Sequence, residues 1–574
     1  MKTMTVMAVL LATTSLASAA SNESLIAQIG ASNGAVVGQT GGNNKQATAQ
    51  AGVKNNAVTS QTAAGANINE SGIAQVGYKN NALAGQTGGN NSQGTLQVGA
   101  KNFASTSQAG AIGNAKNKSG TAQFGYQNGS LVGQTGGNNT QGTLQVGGKN
   151  SSNTGQATNQ YGGMNDAKTA QFGVGNNAVT SQNTSGKADL TSGSASSRPG
   201  GRGGDNTSGI LQIGYQNNAA VGQNSAGVGN GNSAKSGVDN KSDVAQIGGK
   251  NFASVSQDGT RPGSVAGITT NDSFVGQFGW MNGALVGQTG GNNAQGTLQF
   301  GARNSATTGQ SAVSGAGTNG ALTFQAGSDN NALTSQVTAD AKGLFNTGYG
   351  QSNAAGTFQI GKGNNAVTGQ DAGGQLVLGG LGSLAGVSNN ALTVQAGNNN
   401  YASTSQGGAT GAGTLLGGLP VTNTSFVGQL GSNNGALVGQ TNGFNAQATL
   451  QAGKGNSATT GQKNDVASAT QNASLTVQVG KNSNAITSQI ANPLSAGLNG
   501  SLVAQIGNGN QAVIGQSAGA GTGLQPMIGA NLQGTVQVGT GNYAQIAQAS
   551  SASVSNTSVT AQFGSHNSAI VSQK

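Results

Sequence analysis

The sequence predicts an all-β fold: a β-solenoid of stacked strand-turn-strand rungs, about 22 residues to a rung, amyloid-like, with cross-β ladders of Gln and Asn. Three observations predict it. One frame, Gln-x-Gly-x-x-Asn-x-Ala-x-x-x-Gln, recurs twenty times along the chain. β-branched residues accompany its Gln residues at a spacing of two. The composition suits a β-aggregating polymer better than a solvated coil, because charged residues are 6% and Pro is 5 of 574, whereas disordered chains usually carry many charges and prolines.

The frame is legible from the start of the chain. Its first copy is Gln28, Gly30, Asn33, Ala35 and Gln39. The next are Gln50, Gly52, Asn55, Ala57, Gln61, then Gln75, Gly77, Asn80, Ala82, Gln86, then Gln97, Gly99, Asn102, Ala104, Gln108. A later copy is Gln277, Gly279, Asn282, Ala284 and Gln288, and the last begins at Gln562. Both Gln and the Gly hold in every copy; Asn gives way once, to Ser483, and Ala twice, to Ser130 and Ser152.

Each copy reads as strand, tight turn, strand. Two residues before the first Gln stands Ile26, Thr48, Ile73, Thr95 and so on, β-branched without exception. Two before the second Gln the only departure is Ala84. Such residues favour strands, and the spacing puts them on the same face as the Gln. The Gly-x-x-Asn piece is the turn: Gly permits positive φ, and Asn tolerates the left-handed conformation and can bond its own backbone. A helix fails on period and on the recurrent Gly-rich breaks.

A two-stranded hairpin alone is barely stable in water. Stacking the copies in register, about 4.8 Å apart, gives every backbone group a partner. The Gln, Ala and β-branched face is assigned to the interior, where each Gln amide bonds the amides above and below. The other face carries apolar residues such as Ile29, Val76, Phe124, Phe172, Phe278, Phe300 and Phe563. It is either a lateral association surface or cover for a second layer.

Residues 1–19 read as a secretory signal peptide, with Lys2, an apolar run over 4–12 and a small-residue cleavage site at 17–19. Residues 20–574 then form one repeat solenoid. No later run of 18 apolar residues suggests a membrane span. Cys is absent, His566 is the one His, and the 13 acidic residues are scattered. Converging titratable groups are what an active site requires, so no enzyme, metal site or cofactor is expected.

Charge concentrates on the turns. Lys54, Lys79, Lys101, Lys149, Lys250, Arg303, Lys362, Lys454 and Lys481 fall between the Gly and the Asn, in a chain of net charge +10. Stacking is expected to align them as a basic edge. That edge either attracts anionic extracellular polymers such as DNA or acidic polysaccharide, or merely keeps the turns solvated against clumping.

The phrase GQTGGNN occurs at 38–44, 85–91, 133–139 and 287–293. No phosphate-loop Lys-Ser/Thr follows it. It repeats the turn frame half a period on, with Gln46 in place of the Ala, and so reads as the return turn between rungs. Where it is missing, insertions such as 192–206 loop out.

The frame resembles the repeat of the curlin family, subunits of bacterial curli amyloid fibres, and the resemblance covers essentially all of the chain after residue 19. It implies a secreted, extracellular protein of the cell-surface biofilm matrix that polymerises with itself, supporting adhesion and cell aggregation. It also implies a nucleator subunit and an outer-membrane export channel as partners. In that family the repeat Gln and Asn residues stack along the fibre core; here these are pairs such as Gln28 with Gln39 and turn residues such as Asn33, Asn55 and Asn80. Twenty copies exceed the handful usual in curlins, so one chain is already a fibre-like stack. A monomeric adhesin solenoid, binding polymers through its loops or basic edge, is the alternative. An ice-binding solenoid fits less well, because the regular Thr positions share the inward Gln face.

Overall fold

The computed structural model describes residues 22–110, 116–159, 163–185, 204–226, 238–259, 270–312, 317–338, 351–373, 386–409, 421–465, 470–492, 495–519, 527–550 and 554–574. The expected leader and most of the 192–206 insertion lie outside them. The described residues are strands joined by short turns, with no helix. The chain divides into two compact units, Met1–Met281 and Asn282–Lys574. Each is a β-solenoid built the same way.

A rung of the first unit shows the plan. Its arms are Asn90–Ala100 and Phe103–Gly110, separated by Lys101 and Asn102. They do not zip together as a hairpin. Asn90–Ala100 pairs in parallel with Lys116–Tyr126, and Phe103–Gly110 with Gly129–Gly136. Register sets Gln97 opposite Gln123, Gly99 opposite Gly125, and Gln108 opposite Gln134. Like therefore stacks on like, and the side-chain period of two makes any one-residue slip bury the wrong face.

Insertions leave the register intact. Asn165–Val174 pairs with Asn206–Tyr215, and Gln171 still meets Gln212. In the second unit Thr318–Ser328 pairs with Ser352–Lys362, bringing Gln325 to Gln359.

Burial alternates along the arms, as in Lys116–Tyr126, and the inward face is the predicted one. Gln50, Gln75 and Gln97 are fully buried, as are Ala57, Ala82 and Ala104 to within 1%. The apolar core is thin: Ala57, Ile73, Ala82 and Ala84 form one cluster, and Ala485, Val503, Ala512, Ile514 and Ile546 another. Where Ser replaces the Ala, a facing hydroxyl accommodates it: Ser130 Oγ lies 3.5 Å from Thr121 Oγ1, and Ser152 Oγ 3.4 Å from Thr143 Oγ1. The first rung departs from the plan. Gln28 is exposed, Ala35 and Gln39 are half-buried, and Ile26 is 45% exposed.

Candidate functional site: amide ladders and a basic turn edge

The turn is shaped by two residues of positive φ. Gly77 sits at 124° and Lys79 at 54°. A Cβ on Gly77 would lie 1.9 Å from the carbonyl oxygen of Gly99 in the next rung, so stacking itself demands glycine there. The left-handed residue is not the Asn, although Asn tolerates that conformation, but the one before it: Ser32, Lys54, Lys79, Lys101, Lys149 and their equivalents. The Asn is needed for its side chain. Asn80 Nδ2 donates to Val76 O at 3.2 Å within its own turn and to Gly99 O at 3.0 Å in the next rung. Its Oδ1 accepts from the backbone N and from Nδ2 of Asn102, both at 3.1 Å. Asn55 and Asn102 do the same in their rungs, and so does Asn282, which donates to Gly301 O at 3.1 Å and accepts from Asn304. Asn33, in the first rung, donates to Ile29 O and Gly52 O.

The Gln ladder satisfies every amide atom that matters. Gln97 Nε2 donates one proton to Gln123 Oε1 at 2.8 Å and the other to Asn81 O, on the facing arm, at 3.0 Å. Its Oε1 accepts from Gln75 Nε2 at 2.7 Å. Gln86 repeats this on the second arm, donating to Gln108 Oε1 at 2.9 Å and Glu70 O at 2.8 Å. Gln28 and Gln39 open the two columns by donating to Gln50 and Gln61. Gln277 accepts from Gln246 at 2.8 Å, and Gln288 donates to Gln310 at 2.8 Å. A buried amide in this setting is held on both sides, which removes the cost of burying it.

A second Asn ladder runs through the return turns, where the phrase GQTGGNN marks the Asn. It lies six residues before the first Gln, at Asn44, Asn69, Asn91, Asn117, Asn139 and onward, each fully buried or nearly so. Asn91 Nδ2 donates to Asn69 Oδ1 at 2.9 Å, Asn117 to Asn91 at 3.0 Å, and Asn139 to Asn117 at 2.9 Å. The signal was present: Asn holds this place in all twenty copies. The position falls just after connections of variable length, which mask its recurrence. GQTGGNN ends on this ladder residue, at Asn44, Asn91, Asn139 and Asn293.

The residue in place of the Ala is also explained. Gln46, Gln93 and Gln141 are buried. Gln93 Nε2 donates to Thr95 Oγ1 of its own strand, and its Oε1 accepts from Ser71 Oγ at 2.9 Å. Ser119 serves Gln141 likewise at 2.9 Å. A short Ser in one rung makes room for the long Gln in the next.

The turn cations differ between the two units. Lys54, Lys79, Lys101, Lys149 and Lys250 occupy the left-handed turn position of the first unit and are exposed. Lys79 Nζ lies 5.1 Å from the Tyr78 ring centroid, Lys101 Nζ 5.2 Å from that of Tyr126, and Lys250 Nζ 5.5 Å from that of Trp280. Lys101 also donates to Tyr126 Oη at 3.0 Å, which raises its own pKa; the hydrogen bond and charge of Lys79 lower that of Tyr78. In the second unit Arg303 holds the same place, but its guanidinium grips both carboxylate oxygens of Asp329, at 2.6 and 3.1 Å. That pairing holds the Asp329 carboxyl below its usual range. Lys362, Lys454 and Lys481 stand one residue earlier, because Gly363, Gly455 and Asn482 take the left-handed position.

The outward face stays partly exposed, with Ile29 at 56% and Phe563 at 69%. In the first unit it carries an open apolar groove of about 1130 Å³ lined by Gly94, Leu96, Gly120, Phe124, Gly142 and Leu144 among others. No family model and no curated protein matches this chain.

Proposed function

We propose that this chain is a secreted structural protein that polymerises end to end into curli-like amyloid fibres of a bacterial biofilm matrix, supporting adhesion and cell aggregation. One observation carries the reading. Within each unit, described rungs bind their neighbours through the same kinds of bond, Gln to Gln and Asn to Asn, in parallel register, with Ser483 the one departure from the turn Asn. An interface that is identical at each step also accepts a rung from another copy. Among the described residues the first rung displays it: Gln28 donates to Gln50 and is otherwise exposed. Unpaired edges of this kind template further strands. A nucleator subunit and an outer-membrane export channel are the further partners this reading calls for.

The second reading is a monomeric solenoid adhesin, favoured by the fact that each unit completes many rungs from one chain. Electron microscopy and thioflavin fluorescence after dilution from denaturant separate the two. Fibres with a meridional reflection near ~4.8 Å support assembly. A chain that stays monomeric and dye-negative for days at high concentration refutes it and leaves the adhesin.

A further inference from the structure

We propose that the turn edge of the first unit binds an extended β-1,4-linked polysaccharide bearing carboxylates, through alternating aromatic rings and lysines. This does not rest on fibre formation, since the edge belongs to a single chain.

The residue before the left-handed position forms its own column along the stack. Register runs it from Tyr78 to Ala100 to Tyr126 to Gly148, then through Val174 to Tyr215, Gly249 and Trp280. Single small residues, Ala100 and Gly249, separate the rings within the pairs Tyr78–Tyr126 and Tyr215–Trp280, and Gly148 and Val174 separate the two pairs. Tyr78 and Tyr126 stand two rungs apart, as do Tyr215 and Trp280, a step of about 9.6 Å. The intervening small residues give the rings room: a Cβ on Gly249 would lie 2.1 Å from Trp280 Cζ3. The four rings are each about two-fifths exposed, Tyr78 at 39% and Tyr215 at 44% marking the range.

Cations flank this column. Lys54, Lys79 and Lys101 follow one another on consecutive rungs, a positive charge about every 4.8 Å. No turn residue of the first unit is acidic. The second unit lacks the combination: its Arg303 is neutralised by Asp329, and its turn column has no aromatic residue.

The spacing selects the partner. Single strands of nucleic acid stack successive bases on aromatic platforms inside a basic groove. Here each pair of rings skips the one rung between its members, the two pairs stand three rungs apart, and the surface is a row of turns. In an extended β-1,4-linked chain every second sugar presents the same face, at about the interval of two rungs. Lys79 and Lys101, which lie over the Tyr78 and Tyr126 rings in the free chain, swing onto uronate carboxylates and leave those rings to pyranose C–H faces.

Two triple variants test this, with binding to immobilised polymannuronate, cellulose and single-stranded DNA measured at several salt concentrations. Tyr78→Ala, Tyr126→Ala and Trp280→Val remove the rings; Ala100 and Val174 already occupy that column. Lys54→Gln, Lys79→Gln and Lys101→Gln remove charge; Gln127 and Gln216 already occupy that position. Both should keep the parent's strand circular dichroism. The parent should bind polymannuronate most tightly. The aromatic variant should lose roughly tenfold in that affinity and leave DNA binding unchanged. The lysine variant should weaken both and flatten the salt dependence. The proposal is overturned if polymannuronate does not bind, if DNA or cellulose binds as tightly, or if the aromatic variant matches the parent.

Discussion

Asn206 Nδ2 donates to Asn165 Oδ1 at 3.0 Å, although 41 residues of chain separate them. The same amide donates to Asn183 O at 2.9 Å, and its oxygen accepts from Asn240 Nδ2 at 2.9 Å. After each connection, whatever its length, this Asn returns the strand to register. Asn206→Ala should therefore cost about 1–3 kcal/mol. The loss should be local, since rungs contact only their neighbours. Hydrogen exchange should accelerate in Asn165–Val174 and Asn206–Tyr215 and stay unchanged in distant rungs. Uniform acceleration along the chain would contradict the re-registering role.

Gln97→Glu tests the Gln ladder. The ionised carboxylate cannot donate to Gln123 Oε1 or Asn81 O, and burial raises its pKa. A carboxyl raised in the folded state contributes stability below its unfolded pKa and loses it as pH rises through the folded one. The variant should accordingly withstand urea better near pH 4 than near pH 7. Equal resistance at both values would mean that the amide protons matter little.

Glycines divide into two kinds. Gly77→Ala drives a Cβ to within 1.9 Å of Gly99 O and should cost at least about 3 kcal/mol. Gly94→Ala meets nothing within 4 Å and needs no positive φ. It should change stability by less than about 0.5 kcal/mol. Thermal denaturation of the pair distinguishes stacking contact from mere turn flexibility.

Thr308 Oγ1 is buried without a partner, as are Thr154 Oγ1 and Thr368 Oγ1 at equivalent positions. Val132, Val221 and Val286 hold that place in other rungs and are buried. Thr308→Val should stabilise by about 1 kcal/mol, seen as a higher urea midpoint. A lower midpoint would show that the hydroxyl has a bonding role.

The Arg303 hydrogen bond is the main cause of the lowered Asp329 pKa. A depressed carboxyl contributes stability above its unfolded pKa and loses it as pH falls through the folded one. The Arg303 contribution should therefore vanish in acid, below the ordinary carboxylate range. NMR titration of Asp329 should move upward in Arg303→Gln; an unchanged titration would rule out the pairing in solution.

Much of this is legible in the sequence. Recurrence made the fold readable: Gln97, Gly99, Asn102, Ala104 and Gln108 say together what no one of them says alone, because a stack repeats each requirement at every rung. A period of two groups the Gln, Ala and β-branched residues on one face, and the narrow choice of residues there marks it as the inward one. The lysines followed from their place between Gly and Asn.

Other facts are pairwise and appear only when rungs meet. That Asn80 stays out of the left-handed region while Lys79 enters it depends on the bonds Asn80 makes to Gly99 and Asn102. That Ser71 makes room for Gln93 depends on the volume shared by adjacent rungs. That Arg303 is paired while Lys101 lies against Tyr126 depends on which residue the next turn presents. The sequence by itself determined the rung, its period and its buried face, since these repeat along one dimension. Only the tertiary structure decided which side chains meet between rungs, because that requires the chain, after connections of unequal length, to come back to the same register.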